Sequence, residues 1–403
     1  MKTVAIIAEY NPFHNGHLYH INKIRDELGT DTAIIAIMSG NYVQRGEVAI
    51  IDKWDRAKMA VDAGINLVIE LPFPFSMASA EYFANAGISI AKSLGIIDYI
   101  SFGSESGCIQ ALQGAAKNIL SDEFENEIKI LKSYIKFASE GYAKVREAAY
   151  KRLFNDDIDI SSPNNILAIE YLKALIKSET NIIPHTIKRI GAGYNQDVYD
   201  DSGVQSATYI RALYRSGNNS AINYIPENAD LYTSSLISKN QCPCDIERIW
   251  PAISAKILMS STSELSAFAD CGNGLSDRLK SKANEAIGVH SLISLVSTKK
   301  YTTARIKRAM LFSFFGVTSS DLKESPAYTQ VLAMDKIGQE LLKRIKITSS
   351  IPAIIRPSSR EKDLANFCKQ KYNSDLADSV FQLTKPVCDS AASIYRKTPY
   401  VKK

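Results

Sequence analysis

The apolar positions of the first half of the chain fall into two alternating patterns. TVAIIA (3–8) is an unbroken apolar run, the pattern of a parallel strand buried on both faces. HLYHINKIRDELG follows, with Leu18, Ile21, Ile24 and Leu28 at helical spacing and Gly29 placed to end the helix. DTAIIAIMSG (31–40) reads as a second strand. DKWDRAKMAVDAG (52–64) reads as a helix, with Asp52 able to cap it and Gly64 to end it. NLVIELP (66–72) is a third strand, 76–95 a helix and IDYISFGSE (97–105) a fourth strand. This rhythm predicts an α/β fold, a Rossmann-like doubly wound parallel sheet.

Residues 109–154 read as helices without strands between them, and 162–179 as a helix with Pro163 in its first turn. IIPHTIKRIG (182–191) is a further strand, NQDVYDDSG (195–203) a polar loop and 206–217 a short helix. Residues 218–230 are the best linker candidate, and beyond them the pattern is mainly helical, with no βαβ rhythm. The expected division is a catalytic domain at 1–217, a linker at 218–230 and a mainly helical domain at 231–403.

Composition adds little: of 403 residues, 45% are hydrophobic and 23% charged, an ordinary globular balance. The N-terminus lacks a basic region before its apolar run, and no segment approaches the length of a bilayer span, so the expectation is a cytoplasmic protein. Cys242 and Cys244 are the only close cysteines and lack a second pair, so free thiols are expected rather than a zinc site. Charge changes the picture more. Residues 1–215 carry a net −4 and residues 216–403 a net +9. The basic half suits a polyanion, and it equally suits plain solubility.

The densest candidate chemistry is EYNPFHNGHLYHI (9–21), which holds three of the five histidines, His14, His17 and His20. On the expected frame they sit where the first strand ends and a helix begins. Ligands of open α/β sheets bind beyond the carboxyl ends of strands. A helix N-terminus there offers unpaired N–H groups and a positive dipole end, suited to phosphate. Gly16 permits close backbone approach, and histidine adds N–H donors for charge developing on a phosphoryl group. The alternatives for His14 and His17 are a metal pair or two exposed histidines; for a metal pair, Glu9 is the only carboxylate near them. His20, one turn on, is equally open to a ligand role and to a structural one.

HNGH after a first strand resembles the HxGH signature of the nucleotidyltransferase superfamily, which includes the class I aminoacyl-tRNA synthetases. SATYIR (206–211), about 190 residues later, resembles that superfamily's second element. EYNPFHNGH, MSGNYVQRGE (38–47), LVIELP (67–72), FGSE (102–105), SPNNILAIEYLKA (162–174), IKRIGAGYN (187–195) and TKKYTTARIKR (298–308) together resemble the tRNA(Met) cytidine acetate ligase family. Val48 departs from the proline expected there, in a loop.

The resemblance implies ATP and Mg²⁺, acetate and elongator tRNA(Met), with no resident metal and neither DNA nor membrane as partner. Acetate would attack the α-phosphate to give acetyl-adenylate, and the wobble cytidine N4 would take the acetyl group, giving N(4)-acetylcytidine. His14, His17 and Arg211 would be catalytic. The nucleotide would lie against Ile7, Ala8, Glu9, Tyr10, Asn11, Pro12, Phe13, His14, Asn15, Gly16, His17, Leu18, Tyr19 and His20. Gly103, Asn164, Arg189, Ser206 and Thr208 would complete its site. Gly103 also reads as a turn glycine, Asn164 as a plain helix N-terminal residue, and the adjoining Asn165 is an alternative contact. Lys299, Lys300, Arg305, Lys307 and Arg308 suit tRNA phosphates, and Tyr301 suits base stacking; a solvated helix face is the plain alternative.

Three other classes fit the sequence less well. An adenylyltransferase acting on a small phosphorylated metabolite would be a shorter chain without a basic helical half. A non-catalytic RNA-binding protein would not need HNGH and SATYIR intact. An aminoacyl-tRNA synthetase would carry a lysine-rich KMSKS-like loop, which is absent at the expected place.

Overall fold

The computed structural model describes residues 1–134, 141–190, 204–358 and 365–403. The expected polar loop at 195–203 and the GAGYN portion of the 187–195 motif lie outside the described residues.

The elements through residue 188 are β1 (Thr3–Ala8), α1 (Asn15–Leu28), β2 (Ala33–Ser39), β3 (Tyr42–Val43), β4 (Glu47–Val48), α2 (Lys53–Asp62), β5 (Leu67–Leu71), α3 (Ala80–Leu94), β6 (Tyr99–Ser104), α4 (Ile109–Ile119), α5 (Asp122–Ser133), α6 (Tyr142–Leu153), α7 (Pro163–Ser178) and β7 (Ile183–Lys188). Next come α8 (Ala207–Ser216) and α9 (Glu227–Ser238). The helical region comprises α10 (Trp250–Met259), α11 (Thr262–Ala267), α12 (Leu275–Ala283), α13 (Val289–Val296), α14 (Thr303–Phe315) and α15 (Ser319–Lys323). The chain ends with β8 (Thr329–Met334), α16 (Lys336–Thr348), β9 (Ala353–Ile354), α17 (Ala365–Phe381) and β10 (Tyr400–Val401).

The sheet order is β10-β8-β5-β2-β1-β6-β7, with β9 beside β8. Five consecutive strands, β5-β2-β1-β6-β7, are parallel, as the alternating pattern predicts. β1 is central: Val4 pairs with Ile34 on one side and Tyr99 on the other. Successive residues go to opposite faces, and both faces are covered. Ala5, Ile35, Ile37 and Ile69 pack in one core with α3, α4 and α7. Val4, Ile6, Ile34 and Val68 pack in another with α1, α2 and α8. This is why the strands show no polar alternation. Truncating one of these fully buried isoleucines to alanine costs about 2–5 kcal/mol.

The C-terminal half departs from the expected division. It is mainly helical, with its own core of Ile253, Leu279, Leu292 and Phe312. Yet β8 joins the sheet antiparallel to β5, and β9 and β10 join β8, so the sheet draws on both sides of the expected boundary. β8 is concealed in the sequence because its first two residues, Thr329 and Gln330, are polar, although all six are buried. Residues 218–230 are not a loose tether: Ala221, Tyr224 and Ile225 are buried in the core that holds α1 and α2. Their apolar residues, not their loop-like composition, decide their placement.

Candidate active site

β1 ends in a loop whose backbone is held from several sides. Tyr10 takes a left-handed φ of +48° and is 2% exposed. Asn11 Oδ1 accepts from Ile50 N–H at 2.9 Å. Arg56, fully buried on α2, donates to the carbonyls of Glu9, Ser39, Gly40 and Ile51. One guanidinium thus ties the carboxyl ends of β1 and β2 together.

His14 is the N-cap of α1. Its Nδ1 accepts from Gly16 N–H at 3.1 Å, and His17 Nδ1 accepts from His14 N–H at 3.1 Å. This is a reciprocal cap made of two imidazoles, which stack with centroids 3.7 Å apart. A Cβ on Gly16 would stand 2.9 Å from His14 Cε1, so only glycine allows this cap. The arrangement corrects one expectation. The first amides of α1 are not free for phosphate: Gly16 N–H goes to His14 Nδ1, and His17 N–H to His14 O at 2.8 Å.

The donors are displaced onto the rings instead. Burial, followed by the nearby Arg189 and Arg211 guanidinium groups, pulls His14 down to about 3. Burial and then His14 and Arg189 lower His17 well below the ordinary histidine range. Both rings are therefore neutral near pH 7. Since each Nδ1 accepts a backbone N–H, each ring carries its proton on Nε2. The pair amounts to two fixed N–H donors without net charge.

His17 lines a cavity together with Gly16, His20, Gly103 and Arg189. Gly103 lies where β6 meets β7, and a Cβ there would come 3.2 Å from Arg189 Cγ. The Arg189 side chain thus crosses Gly103, which gives this glycine a packing reason beyond a turn. His20 turns its Nε2 to Ser101 Oγ at 2.8 Å. Glu105, just past β6, caps α7: its carboxylate accepts from Asn164 N–H, Asn165 N–H and Asn164 Nδ2, the last at 2.7 Å. Asn165 is 1% exposed, and its amide is spent on Glu105 N–H, Ser106 N–H and Asp159 O. Asn164 is the more accessible of the two.

On α8, Ser206 caps the helix by accepting from Tyr209 N–H at 3.2 Å. Arg211 reaches back to the opening loop and donates to Asn11 O at 3.0 Å, Thr208 Oγ1 at 3.2 Å and Glu47 Oε2 at 3.2 Å. Burial alone would raise the Glu47 carboxyl, but Arg211 and Lys307 outweigh it and hold it low. The two elements of the resemblance thus meet in space, with Arg211 already partnered.

The basic stretch is mostly spent inside the chain. Tyr301 is 7% exposed and its hydroxyl donates to Asn273 O at 2.5 Å, which excludes base stacking. Arg308 pairs with Asp270 at 2.6 Å, and Lys307 pairs with Glu47. Arg305 donates to the carbonyls of Asp270 and Gly272. Lys299 and Lys300 are exposed, Lys300 with one bond to Asn273 O at 3.0 Å.

Sequence reasoning missed Arg56, Glu105 and Glu47. Arg56 had a signal, a charge set beside Ala57 and one turn before Ala60 on the buried face of the helix. Glu105 and Glu47 had none, because their partners lie far along the chain.

Three comparisons bear on this geometry. The HIGH Nucleotidyl Transferase family model matches residues 1–393. The tRNA(Met) cytidine acetate ligase of Acetivibrio thermocellus is 38% identical over 390 residues, covering 93% of each chain. That of Anoxybacillus flavithermus is 32% identical over 409 residues, covering 99% of each. The crystal structure of Thermotoga maritima TmcAL bound with alpha-thio ATP superposes with a TM-score of 0.90 at 26% identity, over 100% of this chain and 99% of that one. The chain therefore belongs to the HIGH nucleotidyl transferases and, among them, to the tRNA(Met) cytidine acetate ligase family.

Proposed function

We propose that the stacked His14–His17 pair, at the carboxyl end of β1, is where this enzyme activates acetate with ATP. The protein is an ATP-dependent ligase that makes acetyl-adenylate and transfers the acetyl group to the wobble cytidine of elongator tRNA(Met). In the first step an acetate oxygen bonds to the α-phosphorus and pyrophosphate leaves. In the second the cytidine N4 bonds to the acetyl carbon, AMP leaves and N4 gives up a proton. Neither step needs a covalent enzyme intermediate. The enzyme's contribution is positioning and charge stabilisation.

The observation that carries the site assignment is the tautomer of the pair. Two neutral rings with Nε2–H fixed by backbone capping favour a phosphoryl group gaining charge, and they need no reorganisation to do so. Gly103 and Arg189 extend the site along β6 and β7, and Asn164, less buried than Asn165, is the asparagine better placed to reach nucleotide. Ser206, Thr208 and Arg211 serve the phosphates from α8. For Arg211 this means exchanging Glu47 for phosphate, a swap of one anion for another. Among the described residues no group of three or more His, Cys, Asp or Glu is placed to hold a metal ion. Mg²⁺ fits here as part of the MgATP substrate, held by triphosphate oxygens.

For tRNA, Lys299 and Lys300 are the residues of the basic stretch open to phosphate. The net +9 of residues 216–403 supports the helical half as the RNA side. None of the described helices is long and apolar enough to cross a membrane, and a tRNA substrate fits a cytoplasmic location.

The test uses purified protein with ATP, Mg²⁺, labelled acetate and elongator tRNA(Met), followed by digestion of the RNA. Labelled N(4)-acetylcytidine is expected, dependent on ATP and lost in His17→Ala. A reaction supplied only with acetyl-CoA should give none. ATP-dependent adenylation of another small molecule, with no label in cytidine, would sink the tRNA assignment.

A further inference from the structure

A fourth histidine, His185 on β7, plays no part in the site as described, yet it is wired to it. His185 Nε2 lies 2.9 Å from Glu27 Oε2, and its Nδ1 lies 3.0 Å from Ser101 Oγ. The same hydroxyl lies 2.8 Å from His20 Nε2. Glu27 and His20 stand on α1, Ser101 on β6 and His185 on β7, so the chain of bonds joins three elements. Ser101 is fully buried, whereas Glu27 is exposed. The bonds run from a surface carboxylate to a ring that lines the cavity beside His17 and Gly103.

With His185 neutral, the direction of every bond follows from Glu27. A carboxylate only accepts, so a neutral His185 carries its proton on Nε2 and presents a bare Nδ1. Ser101 then donates its proton to that nitrogen and keeps lone pairs for His20. His20 must donate from Nε2, which leaves its Nδ1 a lone-pair acceptor. No described residue donates to that nitrogen. Burial keeps the ring neutral, with the Arg189 charge acting in the same sense.

We propose that Glu27, His185 and Ser101 are positioning residues that set His20 as a hydrogen-bond acceptor for a ribose hydroxyl of the bound nucleotide. Along α1 the polarity reverses. His14 and His17 offer donors, which suit phosphate; His20 offers an acceptor, which phosphate would avoid and a hydroxyl would seek. His20 lies about one helical turn, roughly 5 Å, past His17. That step suits the path from α-phosphate to ribose, whereas the adenine amine lies farther along the nucleotide. The inference rests on the nucleotide reading of the cavity and goes beyond it, because it assigns one sugar contact and the three residues behind it.

The test is binding of ATP, 2′-deoxy-ATP and 3′-deoxy-ATP by calorimetry to the wild type, Ser101→Ala and Glu27→Ala. The wild type should bind ATP about 3–10-fold tighter than at least one deoxy analogue. That ratio should fall toward one in both variants, with the affinity for that analogue itself little changed. A merely structural role would weaken all three nucleotides alike. Nitrogen-15 NMR of the free protein should show His20 Nδ1 unprotonated in the wild type and a tautomer mixture in Glu27→Ala. Glu27 is exposed, so this variant keeps the test open even if Ser101→Ala folds poorly. A wild-type discrimination retained in Glu27→Ala, or a protonated His20 Nδ1, would overturn the inference. A wild type that binds no ATP would instead overturn the nucleotide site.

Discussion

The opening motif at 9–20 and the basic stretch at 298–308 make the same promise in the sequence, a cluster of polar groups aimed at a ligand. They keep it differently. The motif uses its short-range partners to fix its own donors: His14 and His17 cap each other, and the Nε2–H groups are what remains. The stretch gives most of its donors to distant acceptors, among them Asp270, Asn273 O and Glu47. Spacing of three on a helix start determines which neighbours meet, so the motif can be read locally. A run of cations names no partner, and the fold supplied acceptors from within the chain. Density of charge is thus a weaker guide to a binding surface than density of short-range geometry.

The sharpest way to break this comparison is His17→Ala. It removes one fixed Nε2–H donor and one half of the cap. Acetate-dependent exchange of pyrophosphate into ATP should fall by about 10²–10³-fold, the scale of losing one preorganised donor. A loss below tenfold in a folded variant would mean that the pair is a cap and nothing more.

Acid should distinguish the regions next. The folded-state pKa values of His14 and His20 are about 3, against an ordinary 6.5 for exposed histidine. Above pH 6.5 both folded and unfolded forms are neutral and the stabilisation is complete. As pH falls from 6.5 toward 3, the unfolded chain takes up protons that the folded site refuses, and stability is lost. Each such histidine costs about 1.4 kcal/mol per pH unit in that window. The buried carboxyls of Glu9 and Glu70, both raised chiefly by burial, act in the opposite sense. The measurement is therefore the difference in slope of urea-unfolding free energy between wild type and His14→Asn, at pH 7 to 4. Equal slopes would place the His14 ring in contact with solvent.

How much of this was legible is uneven for physical reasons. β1, β2 and β5 were visible because burial on both faces makes each an apolar run, and β6 and β7 by their place in the strand–helix rhythm. The cap glycine Gly29 and the N-cap Asp52 were visible because they act within a few residues. β8 was hidden by Thr329 and Gln330, whose polar groups find partners only once the sheet forms, Thr329 Oγ1 on Glu70 O and Gln330 Nε2 on Ile355 O. The same reason hid Glu105, Glu47 and the Glu27–His185–Ser101 chain. Each depends on partners more than fifty residues away, and neither composition nor spacing encodes such pairs.

Within the basic stretch, the two exposed lysines provide a finer test. Replacing Lys299 and Lys300 together by alanine should weaken tRNA binding several-fold. It should also flatten the dependence of log affinity on log salt by about 1–2, as the loss of two phosphate contacts requires. Filter binding at several salt concentrations reads both. An unchanged salt slope would move the RNA surface elsewhere on the basic half.

Tyr301→Phe is the smallest change and the one that most directly separates the two readings of that stretch. The ring belongs to the buried core that also holds Leu275, Val296 and Ile306, and phenylalanine keeps its place there. Only the hydroxyl bond to Asn273 O is lost. Asn273 itself holds a left-handed φ of +62°, in a turn whose carbonyls also receive Lys300 and Arg305. Removing one hydrogen bond should cost about 1 kcal/mol of stability, read as a shift in unfolding midpoint. Affinity for tRNA(Met) should not move, because the residue is buried. If the tyrosine instead stacked on a base, phenylalanine would stack as well and neither stability nor affinity would move much, because the loss of about 1–3 kcal/mol that aromatic–base stacking carries requires removal of the ring. Tyr301→Ala would show that larger loss only in the stacking case, beyond the stability it forfeits from the core.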